Sequence, residues 1–232
     1  MKGETADKVD SKKLLRMTVI KLSASLIMIG IVLFISTGTI NYWNGWLFLA
    51  AVLIPISEEL RYLIRKDPEL LKKRMRTKEK GKNQKILISI STVFMGFAMI
   101  IPGIDYRYQW SHVPNWLVIS AVAIFELGFV MYITVMKQNS YASRIIEVQE
   151  NQKVIDYGLY SIVRHPMYVA INLTNLTMPL ILGSYYALIP MFFCCFVIIA
   201  RVKNEEKVME KDLEGYKEYM KKVKYRLIPF IW

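Results

Sequence analysis

Residues 168–200 read YVAINLTNLTMPLILGSYYALIPMFFCCFVIIA, and this apolar stretch decides the fold. A helix rises about 1.5 Å per residue, so roughly 20 residues cross the ~30 Å hydrocarbon core of a bilayer. The stretch is too long for one crossing; divided in two, each half is near the short limit. Pro179 and the Gly183-Ser184 pair supply the break, and the segment reads as a tight helical hairpin. Working outward, apolar blocks at 17–37, 42–64, 86–104 and 115–136 supply four further spans. The chain therefore reads as all-α: a polytopic membrane helical bundle of about six transmembrane spans. It forms one integrated membrane domain, with residues 1–136 as a four-span region and residues 137–232 carrying the hairpin.

Composition agrees with this reading. Of 232 residues, 54% are hydrophobic and 22% charged, a more apolar balance than a soluble domain of this length carries. The net charge of +12 does not point to nucleic acid, because the basic residues flank apolar spans and form no face interleaved with aromatics. Segments 1–16, 65–85, 137–166 and 201–232 hold 28 of the 31 Lys and Arg residues, and only Arg107 falls in a loop on the opposite side. Basic loops stay in the cytoplasm, so a multi-pass protein of the cell membrane with both termini cytoplasmic is expected. Tyr106, Tyr108, Trp110 and Trp116 then lie in an outer loop, at the level of an aromatic belt. Residues 1–16 are too polar and too long for the n-region of a cleavable signal peptide.

Two segments between or after spans have helical character. In 68–75, Leu71 and Met75 are four apart with basic residues between them, the pattern of a helix lying at the headgroup surface. Residues 203–222 are strongly charged and read as a cytoplasmic helix. Cys194 and Cys195 are adjacent within an apolar run, with no spacing for zinc; they read as lipid- or helix-facing filler. With His112 and His165 the only histidines, no metal site is expected.

Charged and polar groups set against a membrane are costly and mark function. Three places qualify: the run from Gly158 to Tyr168 entering the fifth span, Arg201 to Glu206 leaving the sixth, and Glu126 alone within the fourth. A hairpin brings the first two to one cytoplasmic mouth, with Tyr160, His165 and Tyr168 near Arg201 and Glu205. Aromatics, an imidazole, a guanidinium and a carboxylate suit a small ligand that is both aromatic and zwitterionic. Arg201 and Glu205 are four apart and share a helix face. They can pair as a surface ion pair capping the span, or divide a ligand's carboxylate and ammonium. The tyrosines can equally be interfacial anchors, and Glu126 can bond within the bundle. No glycine-rich dinucleotide turn, no phosphate-binding P-loop and no H-E-x-x-H is present.

Taken together, Gly158-x-Tyr160-x-x-x-Arg164-His165-Pro166-x-Tyr168, the apolar hairpin, Arg201-x-x-x-Glu205-Glu206, Tyr216-x-x-Tyr219 and Arg226-Leu227-Ile228-Pro229 resemble the isoprenylcysteine carboxyl methyltransferase family, which shares motifs with the phospholipid methyltransferases. The resemblance covers about residues 139–232, and Pro68-Glu69-Leu70-Leu71 resembles a segment of its bacterial members. It implies a cytoplasmic pocket for S-adenosylmethionine. Gln152, Lys153, Val154 and Ile155 would line the adenosine. Tyr160, His165, Pro166, Met167 and Tyr168 would hold the cofactor, and Glu205 would take its ammonium group. Arg201 would bind and orient the acceptor, a lipophilic or lipid-anchored molecule arriving from the bilayer. Glu214-Gly215 stands where the family often has Phe-Gly.

The acceptor implied is a carboxylate of the isoprenylcysteine type, which needs no general base. A phospholipid amine is the alternative, with Glu126 or Glu206 as candidate bases. A sterol-type reductase using NADPH shares an R-H-P-x-Y-like segment, but the Glu205-Glu206 pair argues against it. A transporter has only Glu126 in its favour.

Overall fold

The computed structural model describes residues 2–76 and 81–232, with side chains from Leu14 onward. Residues 77–80, in the middle of the basic 65–85 loop, lie outside the described residues, as do the side chains of the basic segment before Leu14. The described residues form eight α-helices and no strand: α1 (Lys2–Thr37), α2 (Trp43–Lys66), α3 (Pro68–Arg74), α4 (Lys82–Tyr108), α5 (Asn115–Gln138), α6 (Pro166–Ile181), α7 (Leu188–Asp212) and α8 (Tyr216–Lys222), with a 3-10 turn at Gly158–Ser161.

Three of these are long and apolar enough to cross a membrane by themselves: Leu14–Thr37 within α1, α4 and α5. The expectation of six such helices is met only in part, for reasons visible in the other three. Glu58, Glu59 and Arg61 interrupt the last third of α2. The α6 helix has 16 residues, and α7 turns charged from Arg201 onward. These three pack against the apolar ones, α6 on α5 and α7 on α4.

The hairpin in residues 168–200 is present, but Pro179 does not break it. Pro179 lies inside α6 near its end, and the chain turns over the next residues, where Gly183 takes a left-handed φ of 75°. That turn is fastened from several sides. The Asn44 side-chain amide donates to the Ile181 carbonyl at 2.7 Å, and the Tyr42 hydroxyl donates to the Leu182 carbonyl. Asp105, buried at the end of α4, accepts from Ser184 and from the Ser111 hydroxyl at 2.6 Å. Buried carboxylates need such partners. With one end of the α6–α7 pair fixed in this way, the start of α6 and the charged half of α7 meet at the other end.

Two helices differ from their expected form. α3 does not lie on the headgroup surface. Asp67 caps it, accepting from the Leu70 amide at 2.9 Å, and Leu70 and Leu71 are buried with Leu63 and Met136. The apolar face of α3 is therefore used up against α2 and α5, not lipid. The charged segment 203–222 is not one helix either: α7 runs on to Asp212, and Gly215, at φ 79°, opens α8 as a separate element. Tyr106 and Tyr108 belong to the last turn of α4 and not to the following loop. Cys194 is buried and Cys195 half-buried, both as free thiols.

Candidate active site at the mouth of the α6–α7 hairpin

Pro166 occupies the first turn of α6, where its fixed φ suits a helix and its missing N–H costs nothing. His165 immediately before it is held by its backbone, whose N–H donates to the Arg226 carbonyl at 3.0 Å, while the Arg164 N–H donates to Tyr225 at 2.9 Å. The C-terminal segment thus fixes the entry to α6. One helical turn on, Tyr168 faces α7. Its hydroxyl donates to Glu205 Oε2 at 2.7 Å and accepts from Arg201 Nε at 2.9 Å. The phenol therefore stands between the two groups that the i, i+4 spacing places on one face. A second Arg201 nitrogen donates to the Arg144 carbonyl at 2.9 Å, tying α7 to the irregular segment after α5.

Adjacent residues Glu205 and Glu206 enter different surroundings. A helix turns about 100° per residue, so Glu205 faces Tyr168, with His165 Nδ1 at 3.9 Å, while Glu206 faces inward. Glu206 is 5% exposed. Its Oε1 accepts from Arg164 Nε at 2.7 Å and stands 3.2 Å from His165 Nε2; its Oε2 accepts from Arg226 Nε at 2.7 Å. Burial opposes ionisation, but the hydrogen bonds from His165, Arg164 and Arg226 outweigh it and hold the carboxyl down at about 2. Arg164 also donates to the carbonyls of Val223 and Lys224, each at 2.9 Å. At neutral pH Glu206 is thus an ionised clamp between α7, the start of α6 and the C-terminal segment. Its expected candidacy as a general base does not hold, because a carboxylate with both oxygens engaged by guanidiniums is a poor proton acceptor.

A cavity of about 600 Å³ opens against this cluster, within the roughly 300–1,000 Å³ usual for small-molecule sites. From α7 its wall takes Cys194, Ile198, Arg201, Glu205 and Met209, one helical stripe; from α6 it takes Met167, Tyr168, Ile171 and Asn175. Gln152, Lys153, Val154, Ile155, Tyr160 and His165 all line it as well. Pro166 does not line it and acts only through the start of α6. Glu126 is not among the lining residues either, which removes it as a base for chemistry here.

The 3-10 turn presents Tyr160. Gly158 begins that turn at φ 61°, and a Cβ there would come within 2.3 Å of the Gln138 amide, the amide whose oxygen accepts from the Leu159 N–H at 3.0 Å. The Tyr160 hydroxyl accepts from Asn139 at 2.8 Å, and its carbonyl accepts from the Tyr219 hydroxyl at 2.7 Å. Burial pushes the phenols of Tyr160 and Tyr219 up, so both stay protonated.

Tyr216 is a further residue of the site, beyond those expected from the sequence. It lines the cavity, and its hydroxyl is buried with no hydrogen-bond partner among the described residues. Such orphaned groups are uncommon, and this one belongs to a side chain that lines the cavity. Its spacing to Tyr219 was the available signal. Deeper in, Ser91, Met95, Leu22 and Ile56 from α4, α1 and α2 line the same space. One cavity therefore runs from the polar mouth into the helix bundle, with Arg201 and Tyr168 in its wall.

Residues 116–214 match the family model for phospholipid methyltransferase. That phospholipid methyltransferase match spans α5, α6 and α7 and includes Arg164, His165, Tyr168, Arg201 and both glutamates; Tyr216, Tyr219 and Arg226 follow it. The family is related to the isoprenylcysteine carboxyl methyltransferases. With the three apolar helices, the match supports a membrane methyltransferase. No curated protein matches the chain.

Proposed function

We propose that the chain is an integral membrane methyltransferase that takes a methyl group from S-adenosylmethionine and passes it to a lipophilic acceptor. The observation that carries this reading is the single cavity joining the Glu205–Tyr168–Arg201 cluster to the apolar interior of the bundle. Bound S-adenosylmethionine supplies an already electrophilic methyl group. The residues then have to bind, align and exclude water. Glu205 takes the cofactor's ammonium, with Tyr168 fixing the carboxylate's orientation. Gln152 to Ile155 and Tyr160 line the adenosine, and the orphaned Tyr216 hydroxyl meets one of its polar atoms. Arg201 holds the acceptor group.

The acceptor we favour is a carboxylate of the isoprenylcysteine type. A guanidinium grips a carboxylate with paired hydrogen bonds, and a carboxylate needs no base. The match over 116–214 supports a phospholipid amine as the second reading. One experiment tests both. Purified protein is incubated with methyl-labelled S-adenosylmethionine and a lipid extract, and the labelled product is treated with mild alkali. Volatile label released as methanol marks an ester; label retained through alkali marks an N-methyl amine; no label in any lipid overturns the function.

Two substitutions test the cofactor assignment. Glu205→Gln keeps the shape and removes the charge, and S-adenosylhomocysteine affinity should fall by ~10-fold or more, the scale of one charge-assisted hydrogen bond. Titration calorimetry checks this, and unchanged affinity rejects the role. Tyr216→Phe removes only the orphaned hydroxyl. Affinity for S-adenosylhomocysteine should fall by about fivefold while the thermal midpoint of the ligand-free protein holds or rises; a fall in midpoint with affinity unchanged would mean that the hydroxyl has a structural partner.

In the same reading α1, α2, α4, α5, α6 and α7 all cross the cell membrane, with both termini and the cavity mouth cytoplasmic. The distribution of Lys and Arg supports this orientation. A reporter enzyme fused after Trp232 should be active only in the cytoplasm, and activity on the far side would reverse the topology.

A further inference from the structure

A second concavity, of about 430 Å³, lies between α2 and α5 and shares no lining residue with the active-site cavity. α2 contributes Arg61, Tyr62, Arg65 and Lys66; α5 contributes Val130, Ile133, Thr134 and Lys137. Its chemistry is graded along its length. On α5, residues 130, 133, 134 and 137 follow one face over two turns, about 10 Å, from the exposed apolar Val130 to the basic Lys137. The four cations gather where both helices stop: Lys66 ends α2, and Lys137 is next to last in α5. The sole carboxylate in the wall among the described residues, Glu58, is engaged by Arg61 at 2.9 Å. Lys137 is steadied over the Tyr62 ring at 5.4 Å. Arg65 and Lys66 have no ion pair among the described residues, so positive charge is in excess.

We infer that this groove is a binding site for an anionic phospholipid, its phosphate between Arg65, Lys66 and Lys137 and its acyl chain along Val130 and Ile133. A soluble phosphate would match the cations but not the apolar floor. That floor continues up α5, a helix long and apolar enough to cross the bilayer, so a ligand with a charged head and a hydrocarbon tail satisfies both ends. Basic pockets between helices at a cytoplasmic membrane surface select such headgroups. The site is separate from methyl transfer, and occupancy does not depend on which acceptor the enzyme uses.

The test is lipid titration of the detergent-purified full chain followed by native mass spectrometry. Dioleoyl phosphatidylglycerol should bind about tenfold more tightly than dioleoyl phosphatidylcholine. Arg65→Gln with Lys137→Gln should abolish that preference, whereas Arg65→Lys with Lys137→Arg should keep it. All four changes are at exposed positions, and circular dichroism verifies the fold. Equal binding of the two lipids by the native protein, or an undiminished preference in the glutamine variant, overturns the site. Displacement of the phosphatidylglycerol by millimolar glycerol 3-phosphate overturns the lipid and leaves a soluble-phosphate site instead.

Discussion

Glu206→Ala should cost about 3–5 kcal/mol of stability, the usual loss when one partner of a buried ion pair is removed. Its carboxylate is the common partner of Arg164, His165 and Arg226, and removing it leaves the buried Arg164 guanidinium facing that of Arg226 with no anion between them. In thermal unfolding at pH 7 the midpoint should drop by ~10 °C. Glu206→Gln retains the shape and one acceptor oxygen, so its loss should be smaller. The pH dependence has a definite sign. The folded carboxyl is held at about 2, below its ordinary value of 4.5. Its contribution is therefore fully present above about pH 4.5 and is lost as pH falls toward 2. The size is ~3 kcal/mol, since each pH unit of depression is worth about 1.4 kcal/mol. Unfolding midpoints measured from pH 6 down to 2.5 should fall more steeply in the native protein than in Glu206→Gln. Parallel curves, or an unchanged midpoint for Glu206→Ala at pH 7, would remove the clamp from the account.

Arg201→Ala should turn over about 10²-fold more slowly while binding S-adenosylhomocysteine nearly as well as the native enzyme. Arg201 lies one helical turn before Glu205, closer to the apolar part of α7, where a lipid-borne acceptor arrives. Its removal leaves the Tyr168 hydroxyl still donating to Glu205, so the ammonium subsite keeps its form. What goes is the group that holds the acceptor in line with the methyl–sulfur bond, and misplacement of about 1 Å is worth ~10²-fold. Arg201→Lys keeps the charge without the planar fork and should be nearly as slow. Single-turnover methyl transfer run beside calorimetry separates this from an ion-pair role. If Arg201 only braced α7 through Tyr168 and Arg144, thermal midpoint and cofactor affinity would fall together. Native turnover in Arg201→Ala would end the catalytic assignment.

The α6–α7 hairpin was readable because no charged residue interrupts 168–200 and a bilayer fixes the length a span can have. The meeting of Tyr168 with Arg201 and Glu205 followed from that hairpin and from the i, i+4 rule. The opposite fates of Glu205 and Glu206 were not readable. Two adjacent glutamates are the same in a sequence, and what separates them is Arg226, which reaches the site through a backbone pairing of residues 225 and 226 with 164 and 165. The surface-helix pattern of 68–75 failed for a related reason: an amphipathic stripe records that a face will be covered, not whether lipid or protein covers it. Tyr216 gave no sign that its hydroxyl would be left without a partner, since that depends on the cavity wall formed around it. Pro179 was expected to break the hairpin, but it is carried near the end of α6, while Gly183 with its positive φ makes the turn.

The cavity running from Lys153 at the mouth to Ser91 and Met95 in α4 means that the two substrates of the proposed reaction are measured in different dimensions. The cofactor is a solute, set by moles per litre of water. The acceptor is a component of a two-dimensional fluid, set by its mole fraction among lipids. Doubling the reaction volume at constant proteoliposome composition should leave acceptor saturation where it was, whereas doubling inert phosphatidylcholine should halve the mole fraction of a dilute acceptor and, well below saturation, the rate with it. Rates for this protein therefore acquire meaning only when the surface density of acceptor is stated beside the bulk concentration of cofactor.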